Sequence, residues 1–399
     1  MESGNINETM NKMTTALKNS KLLNQFEERR KQSAAFMKKN WGKVILTVIG
    51  VITAYIYFFY IYNRVNRYLG KMIAYKPYLN QTSLIGCKKV MDGDFKLCDF
   101  YICSSYKSYL PCTNYYDYSD IRAIIESLHY GARYIDLDIF NKSFNPCTEP
   151  VVCAGRERGN WHFTNRLTFD DCCRAIAKVG FSSSVNGNSD PLFINLNLFV
   201  DGNVGTVNKI ADILNTHFGH KLLPRKYSKQ GMNPNPQNAV NISTTPIKKL
   251  LNRVIILCDN YKLIKGTKLN ELVNICANNM GNLRHLTYKQ TRESYDPQEL
   301  KDFNKKYLTR VVPDFKKRTK ENFNYNIPWY LGCQFICMNI TKPDEYSISY
   351  MRRFKKCSYV LKPYKLRYHP VTIEPPKAQL PQVSFAPEKV STPFYSITY

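Results

Sequence analysis

One stretch of the chain is apolar without interruption. Residues 44–63 read VILTVIGVITAYIYFFYIYN and carry no charge, and Lys43 and Arg64 bracket them. At about 1.5 Å per residue, a helix of this length crosses a hydrocarbon layer of about 30 Å. Gly50 is tolerable inside such a helix, and Tyr60 and Tyr62 suit its interface. Beyond it the pattern changes to short apolar runs separated by amphipathic stretches. Residues 96–102 form an apolar run. Residues 117–130 predict a helix, with Tyr118, Ile121, Ile124, Ile125 and Leu128 near one face. Strands are predicted at 134–139, 191–199, 251–258 and 333–339, and helices at 167–179, 207–218 and 268–279. Thr168 and Asp171 have the spacing of a capping box.

Strand and helix alternate through most of 97–340, which predicts an α/β architecture with parallel strands. Residues 1–43 form a basic N-terminal segment and 64–96 a linker. The Pro-rich, polar stretch 224–248 predicts an exposed connection, and 370–399 a proline-rich tail without periodicity.

Charge adds a second constraint. The 399 residues include 57 Lys and Arg against 31 Asp and Glu, a formal net charge of +26. Such a chain favours anionic partners: acidic lipid, an acidic protein surface or nucleic acid. The polar segment before the apolar run is too long for a cleaved signal peptide, so the run is expected to be a retained single-pass anchor. Arg29, Arg30, Lys31, Lys38, Lys39 and Lys43 precede it, and Arg64, Arg67, Lys71 and Lys76 follow. This bias favours a cytoplasmic N-terminus and a lumenal or exoplasmic C-terminal domain.

All 13 cysteines follow the apolar run, and sequons begin at Asn80, Asn141, Asn241 and Asn339. Disulfides and glycans are one reading; buried reduced thiols and unused triplets are the other. Neither Cys333-x-x-x-Cys337 nor Cys172-Cys173 has a histidine pair that suggests zinc, and His217-x-x-His220 stands alone. Gly155-Arg-Glu-Arg-Gly159 lacks the spacing of a phosphate-binding loop, and no dinucleotide fingerprint or nucleic-acid-binding motif is present.

Longer motifs are more specific. Ser104-Ser-Tyr-Lys-Ser-Tyr-Leu110, Gly131-Ala-Arg-Tyr-Ile-Asp-Leu-Asp138, Glu149-Pro-Val-Val-Cys-Ala-Gly155 and Pro191-Leu-Phe-Ile-Asn-Leu-Asn197 occur in order. They are followed by Asn324-Tyr-Asn-Ile-Pro-Trp-Tyr-Leu-Gly-Cys-Gln-Phe335 and Cys357-Ser-Tyr-Val-Leu-Lys-Pro363. In these segments the chain resembles eukaryotic-type phosphoinositide-specific phospholipase C across about 97–369. The resemblance implies a distorted TIM-type (β/α)₈ barrel, with a first half at 97–260 and a second at 261–369. The C-terminal strand ends near Tyr106, Asp138, Asn197 and Arg310 should then converge on one mouth.

The resemblance also implies what has been lost. Family enzymes use two histidines for proton transfer and a calcium ion held by Asn, Glu, Asp and Glu. Tyr106 and Arg156 stand at the histidine positions, and Lys107 at the metal asparagine. Asp136 replaces a metal glutamate, Asp138 remains, and Asn197 replaces the later glutamate. Cys258, Asn260 and Arg292 stand where substrate-contact lysines and a serine are expected. Of the Arg-x-Tyr contact pair, Arg310 keeps its type and Val312 does not. Tyrosine titrates near 10 and arginine does not act as a proton acceptor. Asp136 and Asp138 alternate with Leu137, so both can face one mouth, either as metal ligands or salt-linked to Lys107 or Arg156.

The expected function is a membrane-anchored phospholipase-C-like pseudoenzyme serving as a structural or binding module, with no cofactor. The alternative is an active phosphoinositide phosphodiesterase with a rearranged site near Asp136, Asp138, His162 and Arg310, which would require calcium. The expected partners are a membrane and a protein, with anionic lipid and nucleic acid behind them. The Tyr and Asn content, the anchor and the divergent core suggest a membrane or virion protein of a large DNA virus.

Overall fold

The computed structural model describes residues 3–79, 82–111, 118–143, 148–156, 161–162, 165–185, 187–228, 241–277, 283–314, 321–369 and 386–399. Cys112, Cys147, the sequon at Asn80, Gly159, residues 229–240 of the connection at 224–248 and the first half of the tail lie outside them.

Two long helices open the chain, α1 (Ser3–Lys39) and α2 (Trp41–Lys71). The uncharged run lies within α2, which is apolar and long enough to cross a membrane, and its most apolar window is not covered by the rest of the protein. Eight parallel strands follow: β1 (Phe100–Ser105), β2 (Tyr134–Asn141), β3 (Leu192–Phe199), β4 (Val254–Cys258), β5 (Val273–Cys276), β6 (Leu283–Thr287), β7 (Leu308–Val312) and β8 (Phe335–Met338). They pair in the order β6-β7-β8-β1-β2-β3-β4-β5, which makes a distorted, nearly closed parallel barrel. The interruption falls between β5 and β6. Tyr359–Leu361 adds an antiparallel strand to β1.

Helices α3 (Ile121–His129), α4 (Phe169–Gly180), α5 (Val204–Phe218), α6 (Pro297–Asn304) and α7 (Glu345–Arg353) connect the strands. Their starts are chemically marked. Asp120, Thr168, Asn203, Asp296 and Asp344 each accept a backbone N–H of their helix's first turn. Helix α3 therefore begins at Ile121, four residues past the expected start, and Tyr118 lies outside it.

Both faces of each central strand are covered, so β2 is buried along its whole length. Ile135, Leu137 and Ile139 pack outward against the helices. Tyr134 joins Phe193 and Phe335 inside the barrel, with ring centroids 4.8 and 5.0 Å from Phe335. These rings form an aromatic floor under the polar residues higher on the same strands.

Three further expectations need correction. Residues 64–96 are not a loose linker. Met72, Tyr75, Leu84 and Val90 are buried against the barrel, and the Tyr75 hydroxyl donates to Ser347 Oγ at 3.0 Å. Residues 268–279 are not one helix, because a turn at Lys268–Glu271 leads into β5, where Ile275 enters the barrel interior. The end of the tail is not featureless, since Lys389–Ser391 pairs antiparallel with Ser396–Thr398.

The eleven described cysteines are free thiols, and all but Cys87 are buried. Two sequons fall on buried asparagines. Asn141 bonds Val200 and Thr206, and Asn339 is fully inaccessible. Among the described residues, buried reduced thiols and unused sequons at Asn141 and Asn339 therefore fit the fold better than disulfides and glycans there.

Candidate functional site

The strand ends named by the sequence converge as expected. β2 and β3 pair in a register that sets Asp136 beside Asn195 and Asp138 beside Asn197. All four side chains point into the barrel because they alternate with the outward-facing leucines and isoleucines. The Asn197 amide donates to Asp136 Oδ1 at 3.0 Å and to Asp138 Oδ1 at 2.7 Å. Asn195 adds a bond to Asp136 Oδ1 at 2.9 Å.

Cations occupy the remaining space. Lys107 is ion-paired to Asp138, and its backbone N–H donates to Asp136 Oδ2 at 3.1 Å. It holds φ at 41°, in the left-handed region that a side chain with a Cβ enters only when its surroundings require it. The Tyr109 hydroxyl donates to the same Asp138 oxygen at 2.9 Å. From β7, Arg310 reaches across the barrel. It lies 3.2 Å from Asp136 and 2.8 Å from Asp259, and its side chain is 2% exposed. Its guanidinium sits 6.0 Å above the Tyr134 ring, on the aromatic floor. Desolvation opposes the guanidinium's charge, but Asp259, Tyr134 and Asp136 hold its pKa well above the ordinary value.

Three of these participants were not singled out from the sequence. Asp259 lies between Cys258 and Asn260, and only the turn at the end of β4 brings its carboxylate to Arg310. Tyr109 was quoted only as part of a motif. His285 lies on β6, a strand the apolar pattern did not reveal, and its partner in the ladder is Arg310. Burial, then the Arg310 charge, lowers the His285 pKa to about 3 against a smaller opposing effect of Asp136, so the imidazole is neutral near pH 7.

No described contact joins the two residues that stand at the family's histidine positions. Tyr106 is buried on the interior side of the barrel, with its backbone N–H bonded to Met338. Arg156 pairs through its backbone with Trp161, and its side chain lies outside the described residues. His162 packs edge-on against Phe140, with centroids 5.5 Å apart. Burial and then Arg166 lower its pKa, and no described contact ties it to Asp136, Asp138 or Arg310. It stays at the rim instead of entering the carboxylate cluster. Of the two open pairings for the acids, Lys107 is observed, and Arg310 adds a second cation to the network.

These residues do not fit a calcium ion. Calcium takes six to eight oxygen ligands. Here the oxygens of Asp136 and Asp138 already accept from amides, a hydroxyl, an ammonium and a guanidinium. The Lys107 ammonium puts positive charge against the carboxylate that a metal would need.

Two outcomes follow. Arg310→Leu leaves two carboxylates without their cation and is expected to cost about 3–5 kcal/mol, read by thermal unfolding of the detergent-purified chain. Asp136→Asn in that background should recover part of the loss. His285 contributes a distinct pH dependence. Its folded pKa of about 3 lies below the ordinary 6.5, so between these values the unfolded chain takes up a proton that the folded chain does not. Stability is retained above about pH 6.5 and falls as pH drops toward 3, and His285→Gln should flatten that part of the profile.

Comparison with known proteins agrees with this geometry. The family description "Phosphatidylinositol-specific phospholipase C, X domain" matches residues 94–257, and its Y-domain counterpart matches 251–365. Inactive phospholipase C-like protein 1 of Mus musculus is 25% identical over 328 residues, covering 70% of this chain and 28% of that protein. The 1-phosphatidylinositol 4,5-bisphosphate phosphodiesterase zeta-1 of Homo sapiens is 23% identical over 334 residues, covering 70% of this chain and 52% of that protein. The crystal structure of PLC21 from L. pealei shares the fold at 20% identity and a TM-score of 0.55, over 69% of this chain and 38% of that one. The chain thus spans less than a third of the length of the inactive relative. The mouse and human relatives lend no support to the expected viral origin. The chain is a phosphatidylinositol-specific phospholipase C X/Y-domain protein, related to the inactive phospholipase C-like proteins.

Proposed function

We propose that the protein is a membrane-anchored phospholipase-C-like pseudoenzyme whose barrel serves as a binding or structural module. The carrying observation is the buried network in which Lys107 and Arg310 occupy the carboxylates of Asp136, Asp138 and Asp259. Tyr106 cannot act as a near-neutral base, and the donor set leaves calcium no place. The relationship to proteins named as inactive supports the same reading. It requires no cofactor and makes an acidic protein or anionic lipid surface the natural partner of the basic chain. A second reading, an active phosphodiesterase with a rearranged site, is favoured by one observation: neutral His285 lies beside Arg310 and Asp136.

The membrane reading draws on how α2 meets the barrel. Asn66 accepts from Arg122, near the first turn of α3 at the mouth end. The chain then descends the outside of the barrel, and Thr82 bonds Lys356 and Ser83 bonds Asp190 at the opposite end. The apolar part of α2 therefore projects beyond the mouth, which would face the bilayer. The reduced thiols favour a barrel on the cytoplasmic side, against the translocation suggested by the flanking charges.

The chain is expected to release no inositol phosphates from labelled phosphoinositide vesicles, with calcium or with chelator, and Tyr106→His should not restore release. Calcium-dependent turnover abolished by Asp138→Asn would overturn the pseudoenzyme reading, and loss with His285→Gln would identify the base. In sealed membranes, a C-terminal tag should be digested by added protease and the protein should resist alkaline carbonate extraction. A protected tag would place the barrel on the other side.

A further inference from the structure

A concentration of positive charge lies at the end of the barrel away from the mouth. Two adjoining hollows, of about 400 and 230 Å³, meet there and share Lys305, Lys306 and Tyr368. Their walls come from the segment before β1, the approach to β7 and the turn after Tyr359–Leu361. These are all at the N-terminal ends of barrel strands, so the groove is separate from the Arg310 network.

The cations in this groove are arranged, not merely numerous. The ammoniums of Lys96 and Lys306 lie 5.4 and 5.0 Å from the centre of the same Tyr368 ring. Arg367 lies 5.5 Å from the Tyr364 ring and 5.3 Å from the Phe95 ring, and Tyr364 stacks on His369 at 3.6 Å. Aromatic faces hold these side chains beside one another despite their like charge. The acidic groups nearby are few. Asp302 pairs with Lys305 at 2.7 Å, and buried Asp99 accepts the backbone N–H of Lys96 at 2.9 Å. Among the described residues, Lys306, Lys365 and Arg367 have no ion pair. One carboxylate ligand would leave most of this charge unmatched. Clustered phosphate groups match it, since each offers several acceptor oxygens to ammonium donors and to a guanidinium fork.

We propose that this groove binds a small anion carrying clustered phosphates, with Lys306, Lys365 and Arg367 as its principal charged contacts and Tyr368 as the support that positions Lys96 and Lys306. The proposal does not depend on whether the mouth is catalytic. The site is concave and hundreds of cubic ångströms in size, which suits a soluble polyphosphate compound or a phosphorylated headgroup.

The test uses the full chain in phosphatidylcholine nanodiscs, with inorganic tripolyphosphate as the probe in a calorimetric titration. Wild type is expected to bind. Lys306→Glu with Lys365→Glu should weaken binding about tenfold or more, because charge-assisted contacts are replaced by repulsion. Both side chains are exposed, so the unfolding temperature should not move. Lys38→Glu with Lys39→Glu, an equal charge change on α1, should leave binding unaltered. No binding by wild type, or equal weakening in both double variants, would overturn the site in favour of bulk charge alone. Liposomes containing phosphatidylinositol 4-phosphate distinguish the source. Their capture by wild type but not by the groove variant would assign the same chemistry to an apposed lipid surface, whereas equal capture by both would count against the groove.

Discussion

Arg310 holds together a site that would otherwise contain mutually repelling acids. Its guanidinium spans from Asp136 on β2 to Asp259 beyond β4, crossing the interior of the barrel above an aromatic floor. Removing a charged group from water is costly unless its partners compensate, and here each partner is itself anchored to a strand. The positions of β2, β3, β4 and β7 are thereby linked through one side chain. Lys107 performs the corresponding role for Asp138 at the end of β1, at the cost of an unfavourable backbone angle.

This arrangement explains how the barrel accommodates buried acids at the place where the family resemblance implies a calcium site. A calcium ion would balance several acidic ligands. In this chain, one acid is an asparagine, and protein cations balance the others. Asn197 donates hydrogen bonds to both carboxylates, where a glutamate would add a further negative charge. The pieces are mutually consistent: a lysine at the metal position would be unfavourable beside calcium, and it is favourable beside an otherwise unpaired Asp138. The neutral His285 fits the same balance, since a proton there would face Arg310.

The two ends of the barrel have become chemically different. At the mouth, charge is internally paired and withdrawn from solvent. At the opposite end, Lys96, Lys306, Lys365 and Arg367 surround open space beside exposed aromatic rings. The helix leading from the apolar segment meets the mouth end, so the open cationic groove lies away from it.

The sequence by itself determined the apolar span, the parallel α/β class, the helix cap at Thr168, and the order of the family motifs. Each depends on local chemistry: an uncharged run, alternating faces, a side-chain cap or a short contiguous pattern. It also identified Tyr106, Lys107, Asp136 and Asn197 as departures from the family pattern, with Asp138 retained among them. The tertiary structure decided which cation met which acid. Asp136 and Arg310 are distant along the chain, and Asp259 had no distinguishing pattern of its own. β5, β6 and β7 were obscured because they are only four or five residues long and are interrupted by polar residues such as Asn274, Arg284, His285 and Arg310, so their runs resemble helix or loop. The packing of the linker at 64–96 was also not legible, because only the barrel wall that Met72, Tyr75, Leu84 and Val90 cover explains their spacing.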